Sequence, residues 1–176
     1  MFTRLLDCSF TRLEHLPDMG FQNFFELDAW KKAREFKRAV YRILPQFPEH
    51  ERFELTSQLR RSVRSIPTNI AEGHGRMSFK DQNNFCVIAR GSHSETLNHL
   101  IDAYDCSYIS KEELLRLKER WDEAGKVLNG YMTFLQARIK PKSKSSTDVE
   151  EERIPYSNSS DFDNAQEEFF KLLKAT

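Results

Sequence analysis

The sequence predicts an all-α protein: an antiparallel up-down-up-down four-helix bundle with flexible N- and C-terminal extensions. Apolar residues recur at spacings of three and four in four successive segments, which is the period of an amphipathic helix. Short loops containing proline, glycine or serine separate these segments, and short loops make successive helices antiparallel. We therefore divide the chain into an N-terminal extension (1–25), the bundle (26–140), a disordered linker (141–160) and a short amphipathic helix (161–176).

The first predicted helix begins at Asp28, whose side chain is suited to cap it, and it ends before Pro45. One side of this helix is apolar, and that face needs packing partners. Its members are Trp30, Ala33, Phe36, Val40 and Leu44.

The second predicted helix begins at Pro48, since proline fits the first turn, and it runs to about Glu72. The acidic residues after the proline favour the helix dipole; they are Glu49 and Glu51. Pro67 lies inside this helix and cannot donate to the preceding turn, a defect of about 3 kcal/mol in an isolated helix, so tertiary packing must hold a kink there. We expect Gly73 and Gly75 to end the helix through a left-handed cap.

The third predicted helix opens with a capping box formed by Ser78 and Asp81 and runs to about Tyr104. Small residues in this helix should let a neighbouring helix approach closely; they are Ala89, Gly91 and Ser92. Without large side chains at these positions, two helix backbones can pack tightly.

The fourth predicted helix has the clearest pattern. Ser110 and Glu113 form its capping box. A heptad stripe follows, made of Leu114, Leu117, Trp121, Ala124, Leu128, Tyr131 and Leu135. The apolar surface is widened by Leu115, Val127, Met132 and Phe134, as expected for a bundle helix that also meets a second subunit.

The net charge is zero, with 27 Lys and Arg against 27 Asp and Glu, but the charges are unevenly distributed. Residues 28–140 hold 20 basic and 15 acidic side chains, a net charge of +5. Residues 1–27 hold 2 basic and 4 acidic side chains, and residues 141–176 hold 5 and 8. A basic core indicates an anionic partner, although an acidic tail folded onto the same surface explains the asymmetry equally well.

Seven basic residues of the first two helices are the candidate nucleic-acid-binding residues. They are Lys31, Arg34, Arg38 and Arg42 on the first helix, and Arg60, Arg61 and Arg64 on the second. Guanidinium forks suit phosphates better than ammonium groups do. The alternative is a solvated helix face that nearby carboxylates balance.

A second group of polar residues is predicted to have a structural role. Asn69, Glu72 and Arg76 should form a structural polar network, because buried polar groups most often satisfy one another. We expect the amide of Asn69 to satisfy carbonyl groups freed by Pro67. Glu72 should pair with an arginine such as Arg61 or Arg76.

The sequence offers no catalytic, metal or cofactor site, so we predict that the protein is not an enzyme. The segment Gly91–Glu95 contains serine and histidine, but it lies within a helix, where adjacent side chains point in different directions. The histidines lack the spacing of metal ligands, and no phosphate-binding glycine loop follows a strand. Since no leader-like segment or long apolar stretch is present, we expect a cytoplasmic protein with no membrane contact.

The C-terminal segment carries apolar residues at helical spacing. The residues predicted to dock are Phe162, Phe169, Phe170, Leu172 and Leu173. A free helix of about 15 residues is marginal in water, so we expect it to dock on a neighbouring bundle or on an external partner. A disordered tail is the alternative.

A long ordered string runs through the second and third helices: Gln58, Arg60, Arg61, Ser65, Ile66, Asn69, Ile70, Ala71, Glu72, Gly73, Gly75 and Arg76, then Ala89, Gly91, Ser92 and Glu95. This string resembles the signature of the four helix bundle protein family, also called the rRNA intervening-sequence protein family because some members are encoded within inserts in bacterial large-subunit rRNA genes. The similarity covers roughly residues 24–140. It implies a bundle that assembles as a barrel-like homopentamer without established catalytic activity. The related accessory proteins of diversity-generating retroelements bind nucleic acid and a reverse transcriptase.

The expected function is that of a bacterial, homo-oligomeric protein that binds RNA or another nucleic acid without catalysing a reaction. Self-association as a pentamer is expected from the resemblance. A second function class remains open, namely a homo-oligomeric scaffold or accessory subunit that docks a protein partner such as a reverse transcriptase.

Overall fold

The computed structural model describes residues 23–139 and 170–171, and within these ranges the chain forms four α-helices and no strand. The helices are α1 (Asp28–Ile43), α2 (Leu55–His74), α3 (Phe79–Asp105) and α4 (Lys111–Gln136), with short 3-10 helices at Phe24–Glu26, Leu44–Gln46 and Glu49–Phe53. The prediction of an all-α four-helix bundle is confirmed. The linker (141–160) lies outside the described residues, as does nearly all of the predicted N-terminal extension and C-terminal helix.

Each helix packs against two others: α1 and α3 flank α2, and the same two helices flank α4. The pair α2 and α3 runs antiparallel. Ser92 donates to Ser65 at 2.8 Å, whereas Gly73, about two turns later in α2, lies against the earlier residue Phe85 of α3.

The pair α3 and α4 also runs antiparallel, because a late residue of one helix meets an early residue of the other. Trp121 contacts His93, and the later residue Tyr131 donates to the earlier residue Gln82 at 3.2 Å. The up-down-up-down order of all four helices stays a prediction, since comparable pairs do not fix the direction of α1.

The core is built from the inward faces of all four helices. Its largest fully buried side chains are Phe36, Val40 and Ile43 of α1, Leu59, Val63, Ile66 and Ile70 of α2, Leu100 of α3, and Leu114, Leu117, Leu128 and Leu135 of α4. Burial of one such side chain contributes about 1.5–3 kcal/mol. The helical period therefore located most of the core, although Trp30 and Tyr131 are only partly buried.

A histidine and a tryptophan join α3 to α4 inside the bundle. The rings of His93 and Trp121 stack with centroids 4.3 Å apart. Trp121 Nε1 donates to the His93 carbonyl and His93 Nε2 donates to the Trp121 carbonyl, both at 2.8 Å. Gly125 is required beside this pair, because a Cβ there would lie 2.7 Å from His93 Cε1. Burial lowers the pKa of His93 from 6.5 to about 4, so the ring is neutral at physiological pH.

The glycines near the end of α2 act differently from the prediction. Gly75 follows the helix with φ −72°, and no described glycine has positive φ, so the predicted left-handed cap is wrong. Gly73 lies inside α2, where an added Cβ would be 2.8 Å from Phe85 Cβ and 3.1 Å from the Gln82 carbonyl oxygen. Its role is to let α3 pack closely against α2.

The beginning of α2 also differs from the prediction. The helix begins at Leu55 rather than Pro48, because residues 49–53 form a 3-10 helix and Glu54 interrupts it with φ −107° and ψ −112°. The carboxylate of Glu51 then accepts from the Leu55 N–H at 3.0 Å, and it also accepts from the Tyr108 hydroxyl at 2.9 Å. Glu51 therefore caps α2 and ties this end of it to the α3–α4 turn.

The serine half of each capping box predicted for α3 and α4 is confirmed, whereas the cap predicted for α1 is wrong. Ser78 and Ser110 accept from the N–H groups three residues later, at 3.4 and 3.2 Å. Asp28 is already the first residue of α1, and Leu27 occupies the capping position without a side-chain hydrogen bond. The Asp28 carboxylate instead accepts from Lys31 Nζ at 3.4 Å.

Ala89 and Ser92 are buried in the packing of α3, as predicted, but Gly91 is not. A Cβ at Gly91 would meet nothing within 4 Å, because this position faces outward. The expectation that Gly91 admits a neighbouring helix of the same bundle is therefore wrong.

Candidate nucleic-acid interface

The outer face of α1 carries four exposed basic side chains: Lys31, Arg34, Arg38 and Arg42. They point outward because the opposite side of the helix is buried in the core through Ala33, Phe36 and Val40. Each residue turns the helix by about 100°, so spacings of three and four keep the four cations on one side.

The four cations differ in how strongly they are engaged. The ammonium of Lys31 lies 3.4 Å from the carboxylate of Asp28, one turn earlier. The guanidinium of Arg34 lies 5.5 Å from the centre of the Trp30 ring. In the part of the chain that the structure describes, Arg38 and Arg42 have no carboxylate within 4 Å. Their charges are therefore available to an external anion.

A surface groove of about 440 Å³ lies over this end of α1. It is lined by Lys37, Arg38, Tyr41 and Arg42. These positions follow the pattern i, i+1, i+4, i+5, which places the tyrosine ring among three cations within little more than one turn. The groove thus offers one aromatic face and three positive charges and is lined by no acidic residue.

Lys32 stands outside this face although it is adjacent in sequence. Its ammonium lies 3.2 Å from Glu35 and 2.7 Å from Glu123, so it links α1 to α4. Hydrogen bonds to these two carboxylates raise the pKa of Lys32, and the bond from Lys32 lowers the pKa of Glu123. Lys32 is accordingly a structural cation at the edge of the basic face.

Helix α2 contributes three further exposed arginines: Arg60, Arg61 and Arg64. None of them has a carboxylate within 4 Å among residues 23–139. Arg64 and Arg60 lie about 100° and 140° around the helix from Ser65, which contacts α3. All three arginines point away from the core, because Leu59, Val63 and Ile66 fill the buried side of α2. We use the term basic face for the seven predicted cations of α1 and α2.

The residues of the predicted polar network are divided between two places. Asn69 donates to the carbonyl and the hydroxyl of Ser65, both at 2.8 Å, so it joins the α2–α3 contact. The carbonyl that Pro67 leaves without a donor is that of Val63, four residues before the proline. The prediction that Asn69 satisfies this carbonyl is therefore wrong. Glu72 pairs with Arg76 at 2.6 Å, and both side chains are about half exposed. No hydrogen bond connects this surface pair to Asn69 within the described part.

The remaining predictions concern metal sites, membranes and the tail. Across residues 23–139 and 170–171 there is no group of three His, Cys, Asp or Glu side chains that could hold a metal ion. No helix in these ranges is long and apolar enough to cross a membrane.

Of the five predicted docking residues of the tail, four lie outside the described residues, namely Phe162, Phe169, Leu172 and Leu173. The fifth, Phe170, is helical and buried.

The groove around Tyr41 was missed at the level of the sequence. A signal was present, because Lys37 and Tyr41 are four residues apart on a helix and must therefore be neighbours. The repeat of cations at helical spacing does not by itself indicate the aromatic residue that lies among them.

Residues 25–130, which are more than half of the chain, match the family described as 23S rRNA-intervening sequence protein. One matching solved structure is that of a protein with unknown function from the S23 ribosomal protein family of Bacteroides thetaiotaomicron VPI-5482. It is 26% identical with a TM-score of 0.55, over 59% of this chain and 97% of that chain. No curated protein matches the chain.

Proposed function

The chain belongs to the 23S rRNA-intervening sequence protein family, and we propose that it is a non-enzymatic, homo-oligomeric protein that binds RNA on the basic face of α1 and α2. The observation that carries this proposal is the set of unpaired arginines on adjacent helices. Arg38 and Arg42 of α1, together with Arg60, Arg61 and Arg64 of α2, are exposed and have no carboxylate within 4 Å among the described residues.

Unpaired arginines on a rigid helical surface suit phosphate binding for two reasons. A guanidinium group with no internal partner loses no ion pair when it meets a phosphate. Each phosphate that is neutralised also releases condensed counterions, which strengthens binding and makes it depend on salt. The bundle fixes the backbone of both helices, so the cations are presented without the cost of ordering a loop.

Self-association is part of the proposal because α3 and α4 expose large apolar side chains. Val87 and Ile88 of α3 are 43% and 52% exposed, and Phe134 of α4 is 46% exposed. A contiguous patch of exposed apolar groups marks an interaction surface, and we propose that these three side chains belong to one. An interface on α3 and α4 would leave the basic face of α1 and α2 free in every subunit, and several copies would multiply a weak contact.

The double substitution Arg60→Glu with Arg64→Glu tests the proposal. Its matched control is Lys80→Glu with Lys126→Glu, which changes the net charge equally through two exposed lysines on α3 and α4. Affinity for an RNA hairpin with a single-stranded loop is measured by fluorescence anisotropy over a range of salt concentrations. Circular dichroism establishes that the helices persist in every variant.

We expect the arginine variant to bind more weakly and the slope of log affinity against log salt to become shallower by about two, whereas the lysine variant should resemble the wild type. Equal losses in the two variants would show that only overall charge matters. A wild type that does not bind RNA at low salt would overturn the proposal and favour the alternative scaffold that docks a protein such as a reverse transcriptase.

A further inference from the structure

One side of α1 carries two basic residues between two aromatic ones. Trp30, Arg34, Lys37 and Tyr41 follow steps of four, three and four, so their side chains project from the same side of the helix. A row that combines cations with aromatic rings offers phosphates and bases separate partners. The two aromatic rings of this row, those of Trp30 and Tyr41, differ in their contacts within the protein.

The Trp30 ring is already engaged within the protein. The guanidinium of Arg34 lies 5.5 Å from its centre, and the Phe24 ring packs against it edge-on at 5.3 Å. Tyr41, in contrast, has no stacked ring, no cation over its ring and no hydrogen bond in the described part of the chain, and its side chain is partly exposed. Its ring is therefore available to a planar group from outside.

The groove around Tyr41 has the chemistry to hold one nucleotide unit. It is an open surface depression of about 440 Å³, and its four lining residues all belong to α1. Arg38 and Arg42 lie four residues apart along one edge, and Lys37 lies on the other side of the ring. A base stacked on Tyr41 would thus have cations on both sides for the adjoining phosphates.

We propose that Tyr41 stacks on an unpaired base, with Lys37, Arg38 and Arg42 holding the flanking phosphates, so that the basic face selects single-stranded RNA over a duplex. This inference rests on the proposed function. A paired A-form helix keeps its bases stacked inside and offers the groove only phosphates, whereas a loop or free strand can also present a base. Stacking on an aromatic ring tolerates any base, so the preference is for strandedness and not for sequence.

The test compares two RNA probes on the full-length chain: an oligouridylate and a perfectly paired RNA duplex of the same length. The variants are Tyr41→Leu, which keeps apolar bulk but removes the ring, and Tyr41→Phe, which keeps the ring. Affinities are measured by anisotropy at one salt concentration, with circular dichroism to verify helicity.

We expect the wild type to prefer the single strand, Tyr41→Leu to lose about tenfold in affinity for the single strand alone, and Tyr41→Phe to retain it. If Tyr41→Leu binds both probes like the wild type, or weakens both equally, the stacking inference is overturned while the proposed function stands. If the wild type binds neither probe at low salt, the proposed function fails and the inference fails with it.

Discussion

A buried imidazole joins three of the four helices. His93 of α3 stacks on Trp121 of α4, and its edge meets the Phe36 ring of α1 with centroids 6.0 Å apart. Its Nε2–H donates to a backbone carbonyl, so the N–H group of the neutral ring has a hydrogen-bond partner inside the protein. A positive charge there would be desolvated, which is why burial lowers the pKa of His93 to about 4.

This pKa predicts how stability changes with pH. The unfolded chain, with a histidine pKa near 6.5, takes up a proton before the folded chain does. The contribution of His93 is therefore complete above pH 6.5 and is lost as the pH falls towards 4. Between pH 7.5 and pH 5 the free energy of unfolding should fall by about 2 kcal/mol because of this group.

Urea unfolding of His93→Gln at the two pH values checks this prediction. Glutamine keeps an N–H donor but does not titrate, so the pH dependence of unfolding should become shallower by that amount even if the variant is less stable throughout. His50→Gln, at an exposed position, is the control. A variant that keeps the pH dependence of the wild type would contradict the role given to His93.

At the scale of the helices, α2 makes one specific contact near each of its ends. Its first N–H is capped by Glu51, which lies upstream of the helix, and near its other end Gly73 admits α3. The first contact depends on the side chain of Glu51, and the second depends on the absence of a side chain at Gly73. A single substitution at either position should therefore lower the free energy of unfolding.

Glu51→Ala should destabilise the protein by about 1–2 kcal/mol. The substitution removes the cap of α2 and leaves the Tyr108 hydroxyl without its acceptor. Glu49→Ala, which removes only an exposed pair with Arg52, should change stability by less than about 0.5 kcal/mol. Thermal unfolding of both variants gives the comparison, and equal effects would show that the cap contributes nothing.

Gly73→Ala should destabilise the protein by about 1–3 kcal/mol, although alanine is the better helix former, because the new Cβ would overlap Phe85. Gly91→Ala is the matched control, since a Cβ there meets nothing within 4 Å, and it should gain up to about 1 kcal/mol. Denaturant midpoints of the two variants should move in opposite directions. A shift of both in the same direction would be inconsistent with close packing at Gly73.

These elements show which features the sequence can predict. The caps at Ser78 and Ser110 were predictable because donor and acceptor lie within four residues of each other. The start of α2 was not, because Glu51 is held by Tyr108, 57 positions away. The role of Gly73 likewise depends on which residue of α3 lies opposite.

The candidate site was predictable to a similar extent. The outward position of Arg38 and Arg42 follows from the helical period alone. Whether a cation is paired depends on tertiary structure, however: Lys32 is removed from the basic face by Glu123 of α4, which no local pattern indicates.

At the scale of the whole molecule, the outer surfaces of the bundle differ in character. Helices α1 and α2 present the basic face, and α3 and α4 expose Val87, Ile88 and Phe134. Because α1 and α2 are neighbours, as are α3 and α4, the two kinds of surface can serve different partners at the same time.

Light scattering at micromolar concentration should therefore give a mass near five times the 20.8 kDa of one chain, the pentamer expected from the family resemblance. Ile88→Glu with Phe134→Glu should reduce that mass, because charges in an apolar interface lose their hydration. The pair Lys80→Glu and Lys126→Glu serves again as the control. A monomeric wild type would contradict the assembly.

The measurement that tests the central claim most directly is photochemical crosslinking of wild-type protein to RNA that contains 4-thiouridine, followed by mass spectrometry of the linked peptides. Binding on the basic face predicts crosslinks in the segments 31–42 and 60–64, with Tyr41 among the linked residues, and their loss as salt is raised. Crosslinks confined to α3 and α4, or none at low salt, would contradict the account.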